Sequence, residues 1–99
     1  MDSILSDNWF AMTLVQQMIN IGNEVKRAVR FDANMGKKTM FLDRAIWYTE
    51  LTMKDPKNQS VLPELSISKM VLEDYRGERV LDCTKEQINN YYGAYTNLL

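Results

Sequence analysis

The chain has 99 residues, of which 45% are hydrophobic and 25% charged, and its formal net charge is −1. This length fits one domain with one modest hydrophobic core, and the composition is far from the low-hydrophobicity, high-charge signature of disorder. The near-zero net charge gives no global field to attract nucleic acid or an acidic membrane. We therefore expect residues 1–99 to form a single folded domain.

The first predicted helix covers about residues 8–33. Residues 6–8 (Ser, Asp, Asn) offer N-cap side chains, and Gly36 follows the pattern at a place where a left-handed cap would end the helix. Gly22 costs about 1 kcal/mol relative to alanine inside a helix, so we interpret it as a point of close approach by a neighbouring helix. The apolar positions recur at helical spacing; they are Ala11, Leu14, Met18, Ile21, Val25 and Ala28.

The second predicted helix covers about residues 38–54, because the Asp55-Pro56 pair disfavours helical geometry at the aspartate. Trp47 and Met40 fall beside the charged strip of this helix rather than on its core face, which is unusual for large apolar side chains. Either another helix or a partner must cover them. The residues expected to face the core are Phe41, Leu42, Ala45, Tyr48, Leu51 and Thr52.

The third predicted helix covers about residues 61–76, with Ser60 as N-cap, Pro63 in the first turn and Gly77 as the stop signal. Its apolar residues, including Met70, fit one helical face imperfectly. The alternation at residues 65–68 would also suit a short strand, but the chain offers no second run with which such a strand could pair. We therefore predict a helix.

The fourth predicted helix covers about residues 85–98. Thr84 and Gln87 form a capping-box pattern directly before it, in which each side chain satisfies the other residue's amide group. Apolar bodies recur at helical spacing through Ile88 and three tyrosines; the tyrosines are Tyr91, Tyr92 and Tyr95. Together the four segments predict an all-α, single-domain fold that resembles a four-helix bundle.

The residue inventory argues against most enzymatic chemistry. The chain has no histidine, which removes the commonest general base and metal ligand, and the single cysteine, Cys83, cannot form a zinc site or a redox pair. The carboxylates that could pair, Glu73 with Asp74 or Asp43 with Glu50, either diverge on a helix or share its wet face. We predict no catalytic residue, no cofactor, no metal and no enzymatic activity.

The free cysteine and the absence of an apolar leader or of a run long enough to span a bilayer predict a cytoplasmic protein without membrane contact. Basic residues are concentrated near the first predicted interhelical turn, where they form either a solvated surface or a weak phosphate-binding face. They are Lys26, Arg27, Arg30, Lys37, Lys38 and Arg44.

One stretch carries a family resemblance. The sequence from Phe41 to Asn58, with its Leu-Thr-x-x-Asp-Pro-Lys-Asn core, followed by the segments at residues 62–75 and 87–92, resembles a group of small uncharacterised helical proteins from Firmicutes-type bacteria. Proteins of that group are often encoded near mobile or conjugative elements. The resemblance covers about residues 40–95 and implies a cytoplasmic helical domain, but it implies no activity, ligand or catalytic residue.

Two functions follow as hypotheses. The favoured one is a non-enzymatic module that binds another protein or itself through a face containing Met40 and Trp47, since methionine and aromatic residues are enriched where proteins meet. The alternative is an accessory nucleic-acid-binding protein that uses the basic residues between positions 26 and 44.

Overall fold

The computed structural model describes the backbone of residues 3–79 and 81–95 and the side chains of residues 7–79 and 81–95. Every regular element in these ranges is helical, which confirms the predicted all-α, bundle-like class. The strand alternative for residues 65–68 is wrong, because these residues lie inside a helix. The elements in chain order are α1 Ser3–Phe10, α2 Leu14–Arg30, α3 Met35–Lys54, a 3-10 helix Pro56–Val61, α4 Leu62–Glu73, a π-helical turn Asp74–Glu78, and α5 Lys85–Gly93.

The predicted helix 8–33 is two helices. The chain leaves the helical path after Phe10, and Thr13 starts α2 as its N-cap. The Thr13 hydroxyl accepts a hydrogen bond from the Gln16 amide at 3.2 Å, while the Gln16 side chain accepts one from the Thr13 amide at 2.9 Å. The same Thr-x-x-Gln capping box marks the start of α5. The box at Thr13 was missed from the sequence because apolar residues continue at helical spacing across the break between α1 and α2. The expected caps at residues 6–8 lie inside α1.

The junction between α2 and α3 also differs from the prediction. α2 ends at Arg30, and α3 begins at Met35 rather than at residue 38. The Asn34 side chain caps α3 by accepting a hydrogen bond from the Lys37 amide at 3.1 Å. Gly36 therefore lies in the first turn of α3 and is not a left-handed cap of α2. The turn between α2 and α3 has only four residues. It can be this short because Asn34, its last residue, supplies an acceptor for an amide in the first turn of α3 that has no partner within the helix.

The close approach predicted at Gly22 is confirmed. A Cβ atom built on Gly22 would lie 3.3 Å from the Cβ atom of Tyr92, so the bare backbone of α2 allows α5 to pack against it. α2 also packs along α3, and α3 packs along α4. The fully buried apolar core at these contacts includes Met18, Ile21, Val25, Ala28, Leu42, Ala45, Leu72 and Ile88.

The predicted third helix is a composite of three helical types. α3 ends at Lys54 as predicted, and a 3-10 helix follows it, so Ser60 lies within that element and does not cap α4. Pro63 lies in the first turn of α4, which confirms its predicted place. Regular α-helix ends at Glu73 rather than at residue 76. The π-helical turn that follows runs to Glu78 and contains Gly77, whose backbone is non-helical (φ 157°, ψ −7°).

The capping box before the last helix is confirmed. The Thr84 hydroxyl accepts from the Gln87 amide at 3.1 Å, and the Gln87 side chain accepts from the Thr84 amide at 2.9 Å. α5 ends at Gly93, whereas the prediction extended this helix to residue 98. Residues 96–98 of that predicted extension lie outside the described residues. None of the described helices combines the length and the apolar character needed to cross a lipid bilayer.

Candidate functional site

A buried polar network joins the end of α1 to α2, α3 and the 3-10 helix. The Gln17 side-chain amide donates to the Asp55 carboxylate and to the Trp9 carbonyl oxygen, both at 2.9 Å. The Asn58 amide donates to the Gln17 side-chain oxygen at 2.9 Å and to the Thr52 carbonyl oxygen at 3.0 Å. The Trp9 indole N–H donates to the Thr52 hydroxyl at 2.8 Å. These bonds satisfy polar groups that burial would otherwise leave unpaired.

The network explains the Leu-Thr-x-x-Asp-Pro-Lys-Asn sequence. Its polar residues Thr52, Asp55 and Asn58 belong to the network, and the Lys57 ammonium group contacts the Asp55 carboxylate and the Phe10 carbonyl oxygen, the latter at 2.9 Å. Burial opposes ionisation of Asp55, but hydrogen bonds from Lys57 and Gln17 outweigh it and lower its pKa. These contacts hold helix ends together, and the side chains of Thr52, Asp55 and Asn58 are buried.

A second buried carboxylate organises the segment before α5. Asp74 accepts hydrogen bonds from three backbone amides, those of Leu81 (2.6 Å), Asp82 (3.1 Å) and Cys83 (2.8 Å). Burial opposes ionisation of Asp74, yet the three amide donors outweigh it and keep its pKa below the usual value. Asp74 therefore anchors a loop, which is a structural use of this carboxylate.

The other carboxylates considered as possible catalytic groups form ion pairs across helices. Asp43 of α3 lies 2.5 Å from the Arg76 guanidinium group, and Glu50 of α3 lies 3.7 Å from the Lys69 ammonium group. Both pairs are partly exposed, so each contributes about 0–1 kcal/mol to stability. They link α3 to α4 and to the turn that follows it.

An open cleft of about 520 Å³ lies between the start of α3 and the segment around the start of α5. Tyr75 lies in its wall, where its hydroxyl donates to Asp32 at 2.6 Å, and the Lys38 ammonium group lies 3.2 Å from Asp32 and 4.0 Å from the Tyr75 ring centre. Hydrogen bonds from Tyr75 and Lys38 lower the pKa of Asp32, while burial and the nearby Asp32 raise that of Tyr75. The phenol therefore stays protonated at neutral pH.

The charges around this cleft balance. Its walls carry Lys38, Arg76, Arg79 and Lys85 as cations and Asp32 and Glu86 as anions. Two further acids outside the walls, Asp43 and Asp82, pair with the two arginines. Lys38, Arg76 and Arg79 thus each have an acidic partner, whereas Lys85 enters no ion pair among the described side chains. With cations and acids in equal number, the cleft does not single out an anionic ligand. Across residues 7–79 and 81–95, no three acidic or sulfur side chains converge in a way that could hold a metal ion.

The lowered pKa values predict acid sensitivity. Asp32, Asp55 and Asp74 each have a folded pKa below the unfolded value of about 3.9. Each therefore adds stability that is present above about pH 4 and is lost as the pH falls through its folded pKa. We expect the urea midpoint, followed by circular dichroism, to stay level between about pH 5 and pH 7, where the chain has no histidine to titrate, and to fall below about pH 4. An equal midpoint at about pH 3 and pH 6 would contradict this.

Met40 and Trp47 lie on the outer face of α3. Met40 is 43% exposed. Trp47 is partly buried against the edge of the core, with its ring centre 5.2 Å from that of Tyr48, which in turn stacks on Trp9. Trp9, by contrast, is only 5% exposed, and its indole N–H donates to the Thr52 hydroxyl. Trp9 is therefore a core residue, whereas Trp47 lies at the edge of the core. The chain thus covers only part of Trp47, which lies two helical turns after Met40 on α3.

The predicted basic residues have different surroundings. Lys26 borders a small cleft between α2 and α5, whereas Lys38 lines the large cleft. Arg27 pairs with Glu24 of its own helix at 2.8 Å. Lys37 and Arg44 lie over the rings of Phe31 and Phe41 respectively. Within residues 7–79 and 81–95, no ion pair involves Lys26, Arg30, Lys37 or Arg44.

Sequence reasoning missed a second exposed apolar group. Ile67 and Met70 of α4 and Leu81 of the following loop are 55%, 53% and 50% exposed, and Met35 at the start of α3 is 61% exposed. The imperfect apolar spacing of α4 was the available signal, since it reflects apolar residues on two faces of one helix. No family model, curated protein or solved structure matches this chain.

Proposed function

We propose that this protein is a non-enzymatic interaction module that binds another protein, or a second copy of itself, through the outer face of α3. The observation that supports this most directly is the placement of Met40 and Trp47 on the charged side of α3, where Met40 is 43% exposed and Trp47 is only partly covered by its own chain. Methionine and tryptophan are residue types enriched at protein interfaces. A tryptophan that needed only to fill the core would resemble Trp9.

A Met40→Glu substitution tests this proposal with little risk to the fold. Because Met40 is exposed, we expect the free energy of unfolding to change by less than about 0.5 kcal/mol. We expect association, measured by light scattering over a concentration series and by pull-down of partners, to be lost or at least about tenfold weaker, because a charge would be buried at the contact.

The control is Met35→Glu, which makes the same change at a more exposed methionine outside this face. Trp47→Ala is a second test, with circular dichroism to check that the helices remain. A strict monomer whose Met40→Glu and Trp47→Ala variants keep every partner of the unmodified protein would refute the proposal.

A cytoplasmic location belongs to the same proposal. Burial and the nearby Asp74 carboxylate raise the pKa of the Cys83 thiol, so this thiol stays protonated and poorly reactive at neutral pH. An inert lone thiol suits a reducing compartment. The resemblance to small helical bacterial proteins encoded near mobile elements supports the same assignment.

Polyanion binding at the α2–α3 turn is the second candidate function. It is favoured by Lys26, Arg30, Lys37 and Arg44, which enter no ion pair among the side chains described. Two further residues of the predicted set, Arg27 and Lys38, are paired with Glu24 and Asp32, which makes it the weaker candidate. A gel-shift titration at two salt concentrations distinguishes the two functions, because phosphate contacts weaken steeply with salt, and absence of binding at low salt would dismiss this one.

A further inference from the structure

The outward side of α4 carries exposed apolar side chains that form one surface with the loop that follows. Ile67 and Met70 are one helical step of three residues apart and therefore neighbours on the helix. Met70 and Leu81 line the same cavity of about 90 Å³. All three side chains are at least half exposed. We call this set, with the acids described next, the α4 surface.

Acidic residues border this apolar set. Glu64 precedes Ile67 by three positions and Glu73 follows Met70 by three, so each glutamate is the helical neighbour of one of these apolar residues. Glu73 and Glu78 line the cavity that Met70 and Leu81 share. None of these three glutamates is ion-paired among the described side chains.

The basic residues nearest in sequence already have acidic partners elsewhere. Lys69 pairs with Glu50 of α3, and Arg76 pairs with Asp43 of α3. Arg79 pairs with Asp82 at 2.6 Å in the same loop. Lys69, Arg76 and Arg79 thus have acidic partners within the chain, while the glutamates of the α4 surface have no basic partner among the described side chains. The surface therefore presents apolar side chains with acidic residues at its border.

From this charge pattern we infer that the α4 surface docks a basic amphipathic helix of a partner protein. Apolar side chains of such a helix would cover Ile67, Met70 and Leu81, and its lysines or arginines would meet the glutamate rim. Opposite charges at the rim of an interface accelerate encounter and fix the register of docking. The inference rests on the proposed interaction function but adds a separate surface and names its partner's chemistry.

The probe for this inference is a synthetic helical peptide of leucine and lysine, about 14 residues long, which gives about four turns with one apolar and one basic face. It is titrated into isotope-labelled full-length protein and followed by nuclear magnetic resonance. We expect saturable shift changes centred on Ile67, Met70 and Leu81, and an affinity that falls severalfold when the ionic strength rises from about 0.05 to 0.3 M. A leucine–glutamate peptide should not bind.

Matched substitutions separate this surface from general attraction between a basic peptide and an acidic protein. Glu78→Lys should weaken peptide binding at least about tenfold, whereas Glu86→Lys, the same charge change at another exposed glutamate, should change it less than about twofold. Met70→Ser tests the apolar half and should also weaken binding, with thermal unfolding as the check on stability.

Several results would overturn the inference. In the titration, these are the absence of saturable binding at low salt and shift changes that map to another surface. Among the variants, it is an equal effect of Glu78→Lys and Glu86→Lys. Concentration-dependent shifts of the α4 surface without peptide would instead identify a second copy as the occupant. Met40→Glu should leave the peptide titration unchanged. Failure of the α3 face as an interface is therefore distinguishable from failure of this one.

Discussion

Replacing Gln17 by alanine is expected to lower the free energy of unfolding by about 3 kcal/mol, although it removes only one polar side chain. Gln17 is fully buried and forms three hydrogen bonds, to the Trp9 carbonyl oxygen, the Asp55 carboxylate and the Asn58 amide. Its loss would leave those three groups without these partners in a buried site, and each unsatisfied group costs about 1–3 kcal/mol. The partners belong to α1, the end of α3 and the 3-10 helix, so the loss would loosen three elements together.

Chemical denaturation followed by circular dichroism measures this effect. Asn23→Ala is the matched control, because Asn23 is an exposed amide side chain on the same helix and its removal should change stability by less than about 0.5 kcal/mol. Similar losses for Gln17→Ala and Asn23→Ala would show that the network does not hold these elements together.

Replacing Gly22 by leucine is expected to destabilise the protein by about 2–3 kcal/mol and to loosen α5 selectively. A Cβ atom at Gly22 already lies 3.3 Å from the Cβ atom of Tyr92, so a larger side chain must push α5 away from α2. Displacing Tyr92, which is 3% exposed, would open the core at this contact. Amide hydrogen exchange should accelerate in α5 more than in α3.

Gly93→Leu is the control for this substitution, because a Cβ atom at Gly93 would meet no atom within 4 Å. Because leucine is a better helix former than glycine, Gly93→Leu should leave the free energy of unfolding unchanged or raise it by a few tenths of a kcal/mol. If Gly22→Leu were as stable as Gly93→Leu, the close contact between α2 and α5 would not be a constraint on the fold.

The two candidate interfaces were accessible to sequence reasoning to different degrees. Met40 and Trp47 stood out because α3 has one clear charged strip, and an apolar residue beside it violates the helical pattern visibly. Met70 belongs to the apolar residues that fit the helical pattern of their segment imperfectly, and it is 53% exposed. α4 carries apolar residues on opposite faces, so periodicity could not say which of them the neighbouring helices would cover.

The sequence by itself determined the helical class, the end of α3 at Lys54 and the capping box at the start of α5, because each depends on a few residues close along the chain. It also marked Gly22 as a point of close approach, but the neighbour there, Tyr92 of α5, is known only from the tertiary structure. The break before Thr13 also had a local signal, the Thr-x-x-Gln capping box, whereas only the tertiary structure decided the use of the Leu-Thr-x-x-Asp-Pro-Lys-Asn polar groups. There the partners lie far apart in sequence: Gln17 meets Asn58 across 41 positions. Local spacing encodes which segments become helices, whereas the pairing of buried polar groups and the exposure of one helical face depend on which helices become neighbours.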